Sequence, residues 1–264
     1  MPWKQLAQNG LGRLGYRLIN TRTHYSHDGL HSLHHPHFLS DPAFQAAYAR
    51  GVAASHGHDP QTHWRVHVAL WAARQSLAIP GDFVECGVNA GFVSSAILHA
   101  LDWAPLPRRF FLVDTFAGPA LNQYSPAETA AGRPGLAHAS LASGAYVTDL
   151  TRVHANFAAW PQARIVPGTV PEILPSLDTN EVAFVHIDMN CALPEREAFA
   201  HFWPLLSPGG IILFDDYVYY GHQANTAALD EVAARFGLKI LALPTGQGLV
   251  LKPGTGRSLP PALP

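Results

Sequence analysis

The sequence predicts an α/β fold: a mostly parallel sheet covered by helices on both faces and preceded by a helical N-terminal extension. Two observations carry this. From residue 82 onward, short continuous apolar runs such as DFVECGV and VAFVHIDM alternate with helically periodic stretches such as PEREAFAHFWPLL. Strands that are apolar on both faces belong in parallel sheets sandwiched between helices. The runs also end in glycines and acids (ECGVNAG, VDTF, HIDMN, FDDY), and the carboxyl ends of strands are where such folds place ligands.

The elements follow in order. The first forty residues read as irregular and rich in histidine, as in HYSHDGLHSLHHPHF. Asp41 followed by Pro42 is a helix-start signal. A second helix, THWRVHVALWAARQSLA, carries Trp64, Val68 and Trp71 at helical spacing, which places them in the core. Residues 1–80 thus form an arm and helices suited to a lid or to oligomer contacts, and residues 81–264 form the α/β domain. In that domain DFVECGV is a strand, GFVSSAILHALDW a helix and RRFFLVDTF a strand. A Gly/Pro/Ala-rich loop over 117–145 is long enough for a lid, with Tyr124 and Tyr146 at its borders. Then come the helix YVTDLTRVHANFAAW, the strand ARIVPG, the short helix PEILPSL, the strand VAFVHIDM and the helix PEREAFAHFWPLL. SPGG reads as a turn, IILFDDY as a strand, and NTAALDEVAARFG as a helix ending at Gly237. LKILALP and GLVLKP, joined only by TGQG, close the domain as an antiparallel pair. The sum is a Rossmann-like seven-stranded sheet with its last strand antiparallel.

Charge bounds the function. Lys plus Arg number 17 and Asp plus Glu 19, for a net charge of −2. That balance leaves no electrostatic footprint for nucleic acid or an anionic membrane. With no secretion signal or spanning run in the sequence, the expectation is a cytoplasmic protein, and Cys86 and Cys191 read as reduced thiols.

The strand ends supply the candidate site. Gly87 and Gly91 in ECGVNAG permit a tight turn and a close approach of a ligand to the backbone. Asp114 lies near the spacing at which an acid meets a ribose hydroxyl pair, so the two features together point to a nucleoside. Asp188, Asp215 and Asp216 converge at one rim if their strands are neighbours. Three carboxylates there repel one another unless hydrated, protonated or bridged by a cation, and Mg²⁺ or Mn²⁺ suits oxygen ligands of this kind. His222, just beyond FDDY, is a candidate general base, and His186 shares a strand face with Asp188. The arm histidines His24, His27, His31, His34, His35 and His37 lack zinc-ligand spacing, and read as part of a lid or a subunit contact.

The series ECGVNAGFVSSAI, FFLVDTFAG, FVHIDMN and LSPGGIILFDDY, over about residues 82–252, resembles the macrocin O-methyltransferase (TylF-like) group and more distantly the catechol O-methyltransferases. The resemblance implies a class I methyltransferase fold, S-adenosylmethionine as donor and an oxygen acceptor. It implies that Glu85, Gly87 and Gly91 hold the amino-acid end of the cofactor and Asp114 its ribose. Val88, Asn89, Thr115, Phe116, Gly168 and Asp188 complete the cofactor set. Asp188, Asp215 and Asp216 match the metal ligands, with Asp188 and His222 the catalytic candidates. Asn190 stands where the group has a second acid, and Cys191 where the catechol enzymes have a lysine. The expected function is metal-assisted methylation of a hydroxyl on a sugar, glycoside or other small metabolite by a homodimer. The alternatives are a metal-independent methyltransferase with another acceptor and a non-catalytic nucleoside-binding protein.

Overall fold

A computed structural model describes residues 2–16, 19–20 and 24–254. Helix α1 spans Pro2–Arg13. A hairpin of β1 (Tyr25–His27) and β2 (Leu30–Ser32) follows, turning at Asp28 and Gly29, both at positive φ. The described part of the first forty residues is therefore largely ordered into elements, contrary to the irregular arm expected. The period-2 signal of a three-residue strand is too short to read among polar histidines.

Helix α2 (Pro42–Ala54) begins as expected: the Asp41 side chain accepts from the Ala43 N–H, and Pro42 fills the first turn. Helix α3 (His63–Gln75) buries Arg65, Val66, Ala69, Leu70, Ala72 and Ala73. The buried stripe is thus the small-residue face. Trp64 and Val68 pack at its margin, and Trp71 is 51% exposed rather than core. Spacing among Trp64, Val68 and Trp71 marked one face, but the alanine face allows the closer approach to the sheet.

The sheet contains β3 (Asp82–Cys86), β4 (Phe110–Asp114), β5 (Ala163–Pro167), β6 (Val182–Ile187), β7 (Leu206–Phe214), β8 (Leu241–Ala242) and β9 (Gly248–Leu251), in the spatial order β5-β4-β3-β6-β7-β9-β8. The pairs from β5 through β7 are parallel, and β9 runs antiparallel to both β7 and β8. This is the seven-stranded Rossmann-like sheet that the alternation predicts. One expected turn is absent: SPGG lies inside β7, where it absorbs a register shift against β6 between Val182 and Phe184. Gly210 is required there, since a Cβ would come within 2.9 Å of the Ala183 carbonyl oxygen.

Helices α2, α3, α4 (Phe92–Ala100) and the later α7 (Leu150–Phe157) cover one face, around Phe83, Phe110 and Phe184. Helices α8 (Ala192–Leu205) and α9 (Gln223–Arg235) cover the other, around Val185, Phe199, Phe202 and Phe214. The segment over 117–145 is not a bare loop. It forms α5 (Pro126–Ala130) and α6 (Arg133–Ala142), and α5 opens with a capping box between Ser125 and Glu128. Glu128 is buried and also accepts from the Ala192 N–H at the start of α8. The strand order reverses at β3, and the crevice beyond its carboxyl end is bordered by the stretches that flank α5 and α6, Gly118 and Gln123 before them and Ala145 and Tyr146 after them.

Candidate functional site

The turn after β3 is held by the chain itself. Gly87 has φ +89°, and a Cβ there would lie 1.9 Å from the Asp188 carbonyl oxygen. Gly91 has the same φ and abuts the Phe157 ring, at 2.3 Å from a Cβ. Both glycines thus answer to neighbouring protein atoms as well as to the tight turn expected of them, and Gly87 also borders the crevice. Asp114, at the end of β4, accepts from the Val88 and Asn89 N–H groups at 2.7 and 2.8 Å and from Phe116 N–H at 2.7 Å. It clasps the glycine turn, and its carboxylate still borders the crevice. The Asn89 side chain donates to Ala145 O and accepts from Val147 N–H, tying the end of the helical cap to the same turn.

A cavity of about 390 Å³ opens here. Glu85, Gly87, Val88, Asn89, Asp114, Thr115, Gly168 and Asp188 all border it, while Phe116 is buried beside Asp114. Tyr146, Asn190 and Cys191 border it from the cap side, and Thr62 and Arg65 from the N-terminal side. Glu85 is buried, with one oxygen 2.8 Å from His186 Nδ1. Its Oε2 is buried without a hydrogen-bond partner. Burial alone would lower the proton affinity of His186, but the Asp215 and Glu85 carboxylates push its pKa up to about 10, so the imidazole is cationic at neutral pH.

Asp188 accepts from the Asn190 amide at 3.0 Å. Burial and the charges of Asp215 and Asp216 raise its proton affinity well above the usual carboxylate range. Asp215 and Asp216 themselves engage a residue the sequence reading passed over. Arg65, 6% exposed, reaches Asp215 Oδ2 at 2.6 Å and Asp216 Oδ1 at 2.9 Å through Nη1, and Asp28 Oδ2 at 2.6 Å through Nε. The second Asp215 oxygen accepts from the Gln247 amide at 2.8 Å. The Tyr219 ring lies 4.4 Å from the guanidinium carbon. Burial works against the Arg65 charge, but Asp215, Asp216 and Asp28 outweigh it. Asp215 is in turn held far below the usual carboxylate range, Arg65 overcoming the cost of burial.

His222 is 4% exposed and sits behind Asp216, its Nδ1 3.5 Å from Asp216 Oδ2; burial lowers its proton affinity, partly offset by Asp216. It does not border the cavity. Among the described residues no group of three or more His, Cys, Asp or Glu side chains is arranged to hold a metal ion. His27 pairs with Gln61 at 2.7 Å and His31 with Ser26 at 2.7 Å. The missed residues are Arg65, Asp28 and Gln247. A lone arginine within the apolar stretch of α3 was the available signal, because a buried charge must have a partner.

A family model described as a methyltransferase domain matches residues 84–217, more than half of the chain. The chain belongs to this methyltransferase-domain family. Two curated relatives each match about three fifths of this chain. One is the 8-demethyl-8-(2,3-dimethoxy-alpha-L-rhamnosyl)-tetracenomycin-C 4'-O-methyltransferase of Streptomyces olivaceus, 29% identical over 61% of this chain and 60% of its own. The other is the mycinamicin III 3''-O-methyltransferase of Micromonospora griseorubida, 28% identical over 61% and 63%. The match thus spans about three fifths of each relative's length. Among solved structures the O-methyltransferase NovP superposes with a TM-score of 0.59 at 20% identity, covering 72% of this chain and 79% of NovP. The calicheamicin methyltransferase CalS11 superposes at 0.57 and 16%, covering 89% and 98%. At these identities the superpositions speak for the fold alone.

Proposed function

We propose that this methyltransferase-domain protein is an S-adenosylmethionine-dependent O-methyltransferase of the macrocin O-methyltransferase group, acting on a sugar hydroxyl of a glycosylated small molecule. One observation carries the cofactor: the buried, unpartnered Oε2 of Glu85 on a residue bordering the cavity. Such an acceptor is costly alone and fits the ammonium of an amino-acid moiety. Asp114 and the main chain of Val88, Asn89 and Gly168 would face a nucleoside beside it. S-adenosylmethionine, when bound, supplies an electrophilic methyl group on a sulfonium. Asp188 borders the same cavity and would orient an acceptor hydroxyl and take its proton; its burial and its like-charged neighbours favour that transfer. His222, behind Asp216, acts through that carboxylate. The sugar acceptor is supported by the names of both curated relatives.

A divalent ion on Asp188, Asp215 and Asp216 does not fit these residues as they stand. Both Asp215 oxygens and one Asp216 oxygen already meet nitrogen donors, two of those contacts from a guanidinium. The reading extends to a homodimer, favoured by exposed apolar residues on α1 and just after it (Leu6, Leu14 and Tyr16), and to a cytoplasmic setting, favoured by two buried free thiols. Among the described residues no helix is long and apolar enough to cross a membrane.

Isothermal titration with S-adenosylmethionine, followed by label transfer to a panel of rhamnosylated and other glycosylated acceptors, tests the proposal. Stoichiometric cofactor binding that Asp114→Ala weakens, with label on a sugar hydroxyl, supports it. Absence of cofactor binding rejects it.

A further inference from the structure

We propose that Arg65 is a resident cation of this site, doing the charge work that carboxylate clustering otherwise assigns to a divalent ion, so that methyl transfer needs no added metal. The inference rests on the methyltransferase reading above. Three carboxylates drawn from two remote segments meet one planar guanidinium: Asp28 from the β1–β2 turn, and Asp215 and Asp216 from the end of β7. The Asp215 backbone carbonyl also accepts from the same Nη1, at 2.9 Å.

The surroundings suit a guanidinium and not a hard ion. Its contacts are hydrogen bonds of 2.6–2.9 Å, the range of charge-assisted N–H···O bonds. An Mg²⁺ site calls instead for oxygens at about 2.0–2.1 Å in an octahedron. One flank is the face of Tyr219, a surface that attracts a delocalised cation and offers a metal no ligand. Gln247, buried, turns its amide nitrogen to the other Asp215 oxygen, which also lies 3.5 Å from His186 Nε2, and so donates where a metal would need an acceptor. Asp188, expected as a metal ligand, lies outside the guanidinium's contacts, and Asp28 takes the third place. Arg65 also borders the cavity, so its charge is felt where the acceptor oxygen would shed its proton.

The test titrates the full chain with MnCl₂, reading bound Mn²⁺ by electron paramagnetic resonance, and in parallel with S-adenosylmethionine. Wild type is expected to show no stoichiometric Mn²⁺ site, and chelator to change turnover by less than about twofold. Arg65→Gln leaves Asp28, Asp215 and Asp216 facing one another and should bind Mn²⁺ about tenfold or more tighter than wild type. Asp215→Asn in the same background should abolish that gain. A one-to-one Mn²⁺ site in wild type that Asp215→Asn removes would overturn the inference, as would loss of turnover in chelator restored by Mg²⁺. If Arg65→Gln does not fold, the wild-type titration decides alone. Failure of S-adenosylmethionine to bind sinks the methyltransferase reading and leaves the Mn²⁺ result interpretable.

Discussion

Gly87 shows how one missing methyl group can set a site. Its Cα faces the Asp188 carbonyl so closely that a Cβ would penetrate it at 1.9 Å, and its φ of +89° strains any L side chain. Gly87→Ala should therefore cost about 3 kcal/mol or more of stability, measured by urea unfolding, because backbone and not a flexible side chain must move. An unchanged midpoint would mean that the β3 and β6 ends can separate freely. In the proposed reaction Asp188 takes the acceptor proton. Asp188→Asn keeps the shape and the Asn190 contact while removing the proton acceptor, so kcat should fall by about 10²-fold or more. Cofactor affinity, read by titration, should change far less. Equal losses in both would assign Asp188 to cofactor binding alone.

At the scale of elements, the sequence exposed what obeys a period and hid what depends on partners. The alternation of apolar strands with helices placed all seven strands; burial on both faces leaves uninterrupted apolar runs in β3, β4 and β6, while the edge strands β5 and β8 were read from the alternation alone. The helical cap over 117–145 was missed, although SPAE is a capping box with proline in the first turn, because glycine and proline in that stretch mimic a loop. Glu128 holds the cap: it accepts from the Ser125 N–H and hydroxyl through Oε2 and from the Ala192 N–H through Oε1. Glu128→Ala strands three donors, the buried Ala192 N–H among them, and should cost roughly 1–3 kcal/mol. Hydrogen exchange should show amides of 125–142 losing protection while β3 and β6 keep theirs. Uniform loss would make the cap part of one global unit. At the site, the acids and glycines were legible as residue types at strand ends. Their neutralising partner was not, since Arg65 lies 150 residues from Asp215 and no local pattern joins them.

The whole molecule carries a pH signature beneath the site. Glu195, buried in the first turn of α8, accepts from the Asn225 amide of α9 and has its pKa raised to about 8, by burial first and by Asp216 further. Its unfolded value is 4.5. Between those limits the folded chain holds a proton that the unfolded chain has released, so this group's contribution falls as pH rises and levels off above pH 8. Glu195→Gln keeps an oxygen for Asn225 and removes the cost. The variant should match wild type near pH 5 and exceed its stability by about 1 kcal/mol or more at pH 8.5, in thermal or urea melts. A difference independent of pH would show that the carboxyl is ionised throughout.

The pairing of Arg65 with Asp28 on one side and with Asp215 and Asp216 on the other, Gln247 bracing Asp215, also sets an order in time. A chain made from its N-terminus presents Arg65 and the hairpin long before β7 and β9 exist. Until then the guanidinium has no place to be buried, because an unpaired charge there costs several kcal/mol. Helix α3 can coil early and the hairpin can meet Gln61 and His63, but the Arg65 end cannot be buried until synthesis has passed residue 247. The beginning of the chain is thus finished last. Nascent chains halted before residue 206 should be cut by protease within residues 24–62, while chains carried through residue 254 resist.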